Sequence, residues 1–169
     1  MIVIVASRLF LLIMVPQKFT PQQALPKIKQ FCAYQERCHM EVKDKLYGYG
    51  LHKNDVEDIL VKLIEDNYLN EERFAVSFAG GKFRIKQWGR VKIKYELKQK
   101  QVSEYCIKKG LASIDEDAYL KTLEKLFELQ MRKLKGEKNH FTRKRKLADH
   151  LRMKGYENDL VIQLVNKKN

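Results

Sequence analysis

The sequence predicts an all-α protein made of three tandem three-helix repeats. Apolar residues recur at helical spacing behind recognisable capping signals, and one apolar pattern returns three times along the chain. Only 8 Gly and 3 Pro punctuate the 169 residues. With 44% hydrophobic and 33% charged residues, the chain is composed to fold and not to stay a disordered tail.

The first segment, Met1 to Val15, is almost wholly apolar but carries Arg8 in its middle. It has no basic leading region and no small-x-small cleavage site before Pro16, and it is too short to span a bilayer. We expect Met14 to be the natural start, with the residues before it an upstream translation artefact or a loose tail. Residues 1–19 are thus read as an apolar extension outside the fold.

The first repeat, residues 20–69, opens with Thr20-Pro21-Gln22-Gln23, a capping box with Pro at the first helical position. Ala24, Leu25, Ile28, Phe31 and Cys32 share one face of the helix that follows. A second helix runs from about His39 to Tyr47, with Val42 and Leu46 four apart, and stops in Gly48-Tyr49-Gly50. Asn54-Asp55-Val56-Glu57 reads as another capping box, and the helix behind it buries Val56, Ile59, Leu60, Leu63 and Ile64.

The pattern then recurs. Leu46, Leu97 and Leu151 stand 51 and 54 residues apart, each with an apolar residue four before it: Val42, Ile93 and Leu147. Apolar residues also follow at five (Leu51, Val102, Tyr156), ten (Val56, Ile107, Val161) and fourteen (Leu60, Leu111, Val165). The second repeat, 70–112, begins at Asn70-Glu71-Glu72 and carries Phe74, Ala75, Phe78 and Ala79 on its first helix, with Gly80-Gly81 expected to bend or interrupt it. Residues 83–97 alternate polar and apolar, a strand pattern with Trp88-Gly89 as a hairpin turn. Lys, Glu, Leu and Gln dominate 92–101, however, and the repeat sets Ile93 and Leu97 at the helical step of Val42 and Leu46, so we read helix. The third repeat, 113–169, starts with a cap at Ser113-Ile114-Asp115-Glu116 and a long helix striped by Tyr119, Leu120, Leu123, Leu126, Phe127 and Leu134.

The net charge of +13 is unevenly placed. Residues 1–69 hold 9 basic and 8 acidic side chains, and residues 70–169 hold 25 and 13. Such a field draws polyanions: nucleic acid, an acidic protein groove or an anionic membrane face. Cys32, Cys38 and Cys106 are too few for a disulfide framework, which points to a reducing, cytosolic setting. Cys38 adjoins His39 without a second ligand pair at zinc spacing, so no metal is expected. No phosphate-cradling loop, nucleophile elbow or zinc-peptidase motif is present, and Gly80-Gly81-Lys82 is too short to cradle a nucleotide, so neither catalysis nor a cofactor is expected.

Two basic clusters remain as candidate binding residues. Arg84, Lys86, Arg90, Lys94 and Lys98 lie in a stretch from Gly81 to Lys100 whose only acid is Glu96, and Arg90, Lys94 and Lys98 form one stripe on a helix. Arg143, Lys144, Arg145 and Lys146 open the middle helix of the third repeat, where positive charge opposes the helix dipole. Such clusters await a polyanionic partner or merely solubilise a face. Phe83, Trp88, Tyr95 and Phe141 sit among these charges, where flat rings stack bases or belong to the core; Trp88 and Tyr95 are read as core.

The run Leu69-Asn70-Glu71-Glu72-Arg73-Phe74-Ala75, followed by Lys82 to Ile93 and Glu96-Leu97, resembles the central motif of the RecX family. Two departures stand out. Lys100-Gln101-Val102 lacks the Gly usual before that apolar residue, and Gly80-Gly81 falls in what should be a continuous helix. The resemblance covers about residues 20–169. It implies an elongated, curved helical array, cytoplasmic and without catalysis of its own; a monomer is the default expectation. It further implies binding in the helical groove of the RecA filament on single-stranded DNA, and inhibition of strand exchange, ATPase and co-protease activity in DNA repair and the SOS response. The alternative is an autonomous nucleic-acid binder using one helix for recognition.

Overall fold

A computed structural model describes residues 18–167. The expected start at Met14 and nearly all of the apolar extension lie outside these residues. Among the described residues the fold is all-α, with nine helices in three groups of three. Module one holds α1 (Pro21–Tyr34), α2 (His39–Gly48) and α3 (Lys53–Glu65). Module two holds α4 (Glu71–Lys86), α5 (Arg90–Gln99) and α6 (Glu104–Ala112). Module three holds α7 (Glu116–Lys133), α8 (His140–Lys154) and α9 (Asn158–Lys167). Every closely packed helix pair falls inside one module, so the modules follow one another as a row.

The capping chemistry of the sequence sets most starts. Thr20 accepts from the Gln23 N–H while Gln23 accepts from the Thr20 N–H, the expected reciprocal box. Asn70 accepts from the Arg73 N–H. Two starts shift. The cap of α3 is His52, not Asn54, and the helix starts two residues earlier, at Lys53. The cap of α7 is Asp115, which accepts from the Ala118 N–H, and Ser113 closes α6 instead. Phe19, assigned to the extension by sequence, donates its N–H to the Tyr49 carbonyl at 2.9 Å and packs edge-on against the Tyr49 ring.

The repeat is the skeleton of the core. Val42, Ile93 and Leu147, like Leu46, Leu97 and Leu151, are completely buried, and of all the repeated positions Leu111 alone is half-buried. The turn after each middle helix is also the same. Leu51, Val102 and Tyr156 donate their N–H groups to the carbonyls of Leu46, Leu97 and Leu151. The residue before each donor is left-handed: Gly50 at φ 81°, Gln101 at φ 58° and Gly155 at φ 90°. Gln101 thus takes the conformation that the missing glycine would supply.

Gly80 and Gly81 do not interrupt α4, which runs unbroken through both. Phe74, Ala75, Ala79 and Phe83 pack its buried face on either side of the pair, and that packing outweighs the low helix propensity of glycine. Three apolar residues read as buried lie further out: Ile64, Leu120 and Tyr95 are all substantially exposed. Tyr95 stands two residues from both Ile93 and Leu97, which turns it to the opposite side of α5.

Two cores form, and they divide the molecule unequally. Ala24, Val42, Leu46, Val56 and Leu63 centre a core confined to module one. A second, continuous core runs through modules two and three, from Phe74 to Val165. Cys38 alone of module one is buried in that larger core.

Candidate functional site

The module junctions position the candidate residues. Between modules two and three the backbones touch. Gly89 donates its N–H to the Lys154 carbonyl at 2.8 Å, and Val91 donates to the Gly155 carbonyl at 3.0 Å. Tyr119, fully buried on α7, accepts from the Arg90 N–H at 3.0 Å and donates to Glu157 at 2.6 Å. Burial foremost, and then the Glu157 carboxylate, hold the Tyr119 phenol well above its ordinary pKa.

Arg90 belongs to this junction. Its guanidinium lies 4.1 Å from the Tyr119 ring centre, 2.6 Å from Glu116 and 3.9 Å from Glu157. Lys94 and Lys98, the other members of its stripe, converge on Glu104 at 3.8 and 2.5 Å with about half of each side chain exposed. Lys98 foremost holds the Glu104 carboxyl below the usual range. The stripe spacing is therefore real, but its near end is built into the joint and its far end is partly neutralised.

The other candidates divide similarly. Arg84 and Lys86 are exposed near the end of α4, and neither has a carboxylate within ion-pair distance among the described residues. In α8, Lys146 pairs with Glu137 at 2.7 Å, Arg145 is exposed, and Arg143 and Lys144 are half-buried. The Arg143 Nε is buried without a hydrogen-bond partner. Phe141 is exposed beside this cluster, whereas Phe83 is core and Trp88 packs half-buried against it.

Sequence reasoning passed over Lys154, which reaches the Lys86 carbonyl at 3.4 Å and sets Lys86 against module three. The repeat holds the signal for it. Lys100 and Lys154 occupy the same place, just before the left-handed turn residue, and each reaches back to the preceding module. Lys100 does so through Glu41 at 2.7 Å. Lys82 and Lys92, which fall within the same basic stretch but are not among the candidates, lie 5.1 and 4.7 Å from the Trp88 ring centre.

Modules one and two meet through side chains instead. Glu36 pairs with Arg73 at 2.5 Å, Glu41 with Lys100, and His39 lies 3.8 Å from Glu71. Glu71 in turn accepts from the Ser103 hydroxyl at 2.7 Å. Beside these pairs a groove of about 400 Å³ opens between the modules, lined by Glu36 and Glu41 on one side and by α4 and Lys100 on the other. Among the described residues no group of His, Cys, Asp and Glu is placed to hold a metal ion, and no helix is long and apolar enough to cross a membrane.

A row of three-helix modules with cationic flanks defines the class, a tandem helical-repeat protein with a strongly basic surface. The second three-helix domain of RecX matches residues 70–111, which span almost all of α4 to α6. The chain is 28% identical over 148 residues to the regulatory protein RecX of Prosthecochloris aestuarii, covering 86% of this chain and 93% of that one. It is 34% identical over 128 residues to the regulatory protein RecX of Clostridium perfringens, covering 75% of this chain but only 59% of the relative. The crystal structure of RecX from Lactobacillus salivarius superposes with a TM-score of 0.78 over 87% of this chain and 95% of that one, at 20% identity, and so shares the fold. The chain belongs to the RecX family.

Proposed function

We propose that the chain is a non-catalytic regulator that binds the RecA filament on single-stranded DNA, in its helical groove, and lowers recombinase, ATPase and co-protease activity. Membership of a family of regulatory proteins supports this reading. The observation that carries it is the joined body of modules two and three, which holds its cations on one continuous core. A rigid, cationic body suits a partner that repeats along a fibre and exposes acidic groups and phosphates.

Within this reading Arg84, Lys86, Lys144 and Arg145 are the free contacts. Lys94, Lys98 and Lys146 exchange Glu104 and Glu137 for the partner, and Arg90 and Arg143 fix the surface on which the others stand. The protein acts as a monomer in the cytoplasm.

Titrating the protein into RecA filaments, and into bare single-stranded DNA at two salt concentrations, tests the proposal. Dose-dependent loss of ATP hydrolysis and strand exchange is expected, weakened in the combined Lys94→Ala, Lys98→Ala, Lys144→Ala and Arg145→Ala variant. RecA activity indifferent to added protein overturns it. Tight binding to bare DNA with a steep salt dependence and no effect on RecA would favour an autonomous nucleic-acid binder.

A further inference from the structure

We propose that the groove between modules one and two is a docking site for an acidic peptide segment carrying an apolar anchor. The first observation is Gly81. It lies inside α4 and lines the groove, and a Cβ built there meets nothing within 4 Å. Its neighbour Gly80 differs, since a Cβ there would stand 2.7 Å from the Arg84 guanidinium. A glycine in mid-helix weakens the helix, and at Gly81 no packing contact requires one. What the missing side chain leaves is room in the groove.

The lining defines what would fill that room. Phe78 stands half-buried in the wall, packed on Phe74 and the core, and beside it Ile85 is 77% exposed and brings apolar surface to the groove. Lys82 and Lys86 line the same groove with no carboxylate within ion-pair distance among the described residues. The acids on the opposite wall do not serve them, because Glu36 is taken by Arg73 and Glu41 by Lys100. Apolar floor and unpaired ammonium groups together fit a segment with carboxylates flanking a large apolar side chain. Single-stranded nucleic acid fits less well, since stacking needs a free ring face. The Lys82 ammonium already lies 5.0 Å from the Phe78 ring centre and 5.1 Å from that of Trp88, and the Lys100 ammonium lies 5.8 Å from Phe78.

The docking needs no filament, so its failure and that of the filament reading are separate results. The probe is a short fluorescein-labelled peptide of alternating Glu and Asp around a central Leu-Phe pair, followed by anisotropy with the full chain. Trp88, the only tryptophan, gives a second signal, because drawing Lys82 toward a carboxylate changes its emission. Gly81→Leu, which plugs the groove with a better helix former and leaves every charge in place, is expected to weaken binding at least about tenfold. Lys82→Ala with Lys86→Ala is expected to do the same, with circular dichroism unchanged. The inference is overturned if the peptide does not bind, if Gly81→Leu binds it as tightly, or if a Ser-Ser control peptide binds equally well. Displacement of the bound peptide by an oligothymidylate that outcompetes it also overturns the assignment, in favour of nucleic acid.

Discussion

Gly89 lies so close to Gly155 that a Cβ built on it would stand 2.1 Å from the Gly155 carbonyl oxygen. The middle helix of module two thereby begins in direct backbone contact with the turn that ends the middle helix of module three. A side chain at either position must push the modules apart. Gly155 meets a second restraint, its φ of 90°. We expect Gly89→Ala to destabilise the protein by about 3 kcal/mol, the upper end for overpacking, and to open the two-module core to protease. Gly81→Ala, with open space around it, should instead stabilise by about 0.5–1 kcal/mol. Urea midpoints of the two variants moving in the same direction would contradict this account.

Tyr119 is the second fastener of that joint. Its ring lies in the core against Phe83 and Tyr156, and its hydroxyl satisfies both the Arg90 N–H and Glu157. Tyr119→Phe keeps the packing but leaves a part-buried N–H without its acceptor, a loss of about 1–3 kcal/mol. Denaturation of the single and double variants with Glu157→Ala measures the coupling, which should be clearly non-zero because each change alone removes the same Tyr119–Glu157 hydrogen bond.

The architecture was legible because it repeats. Val42, Ile93 and Leu147 and their followers carry the same spacing, and a core position fixed in one module fixes it in the others. Local signals misled where tertiary packing decides: Gly80 and Gly81 stay helical because one face of α4 packs into the core on both sides of them, and Tyr95 faces outward despite its aromatic ring. The environment of the candidate cations was not legible for a related reason. Arg90, Lys94 and Lys98 share a face by spacing, but Glu116 and Glu157 come from module three and Glu104 from the next helix. No periodicity within α5 encodes those neighbours. The Gly89–Gly155 contact was invisible for the same reason, since it joins two turns in different modules.

Gln101 carries the turn that Gly50 and Gly155 carry elsewhere, and it does so with a Cβ at φ 58°. A residue with a side chain is disfavoured there by roughly 1–2 kcal/mol, part of which glycine returns through its freer unfolded state. Gln101 is exposed, so little packing is lost with its side chain. Gln101→Gly should therefore stabilise the protein by up to about 1 kcal/mol, raising the thermal midpoint without changing helicity. A lower midpoint would mean that the Gln101 side chain contributes more than the backbone strain costs.

Glu71 ties the start of α4 to the start of α6 through the Ser103 hydroxyl and N–H, and it faces His39 across the junction with module one. Burial works against its charge, but the hydrogen bonds from Ser103 and Cys106 and the nearby His39 together outweigh it and hold the carboxyl below the usual range. A folded-state pKa below the unfolded value of about 4.3 means that the ionised form stabilises the fold. That contribution is complete above the unfolded value and disappears as pH falls through the folded one. Glu71→Gln retains an acceptor for Ser103 but not the charge, so it should be less stable than the parent near neutrality. The gap should narrow as pH falls through the lowered folded-state pKa, where the parent carboxyl is itself protonated. Unfolding midpoints of both proteins taken between neutral pH and pH 3 read this directly, and a gap that stays constant across the range would remove Glu71 from the acid response.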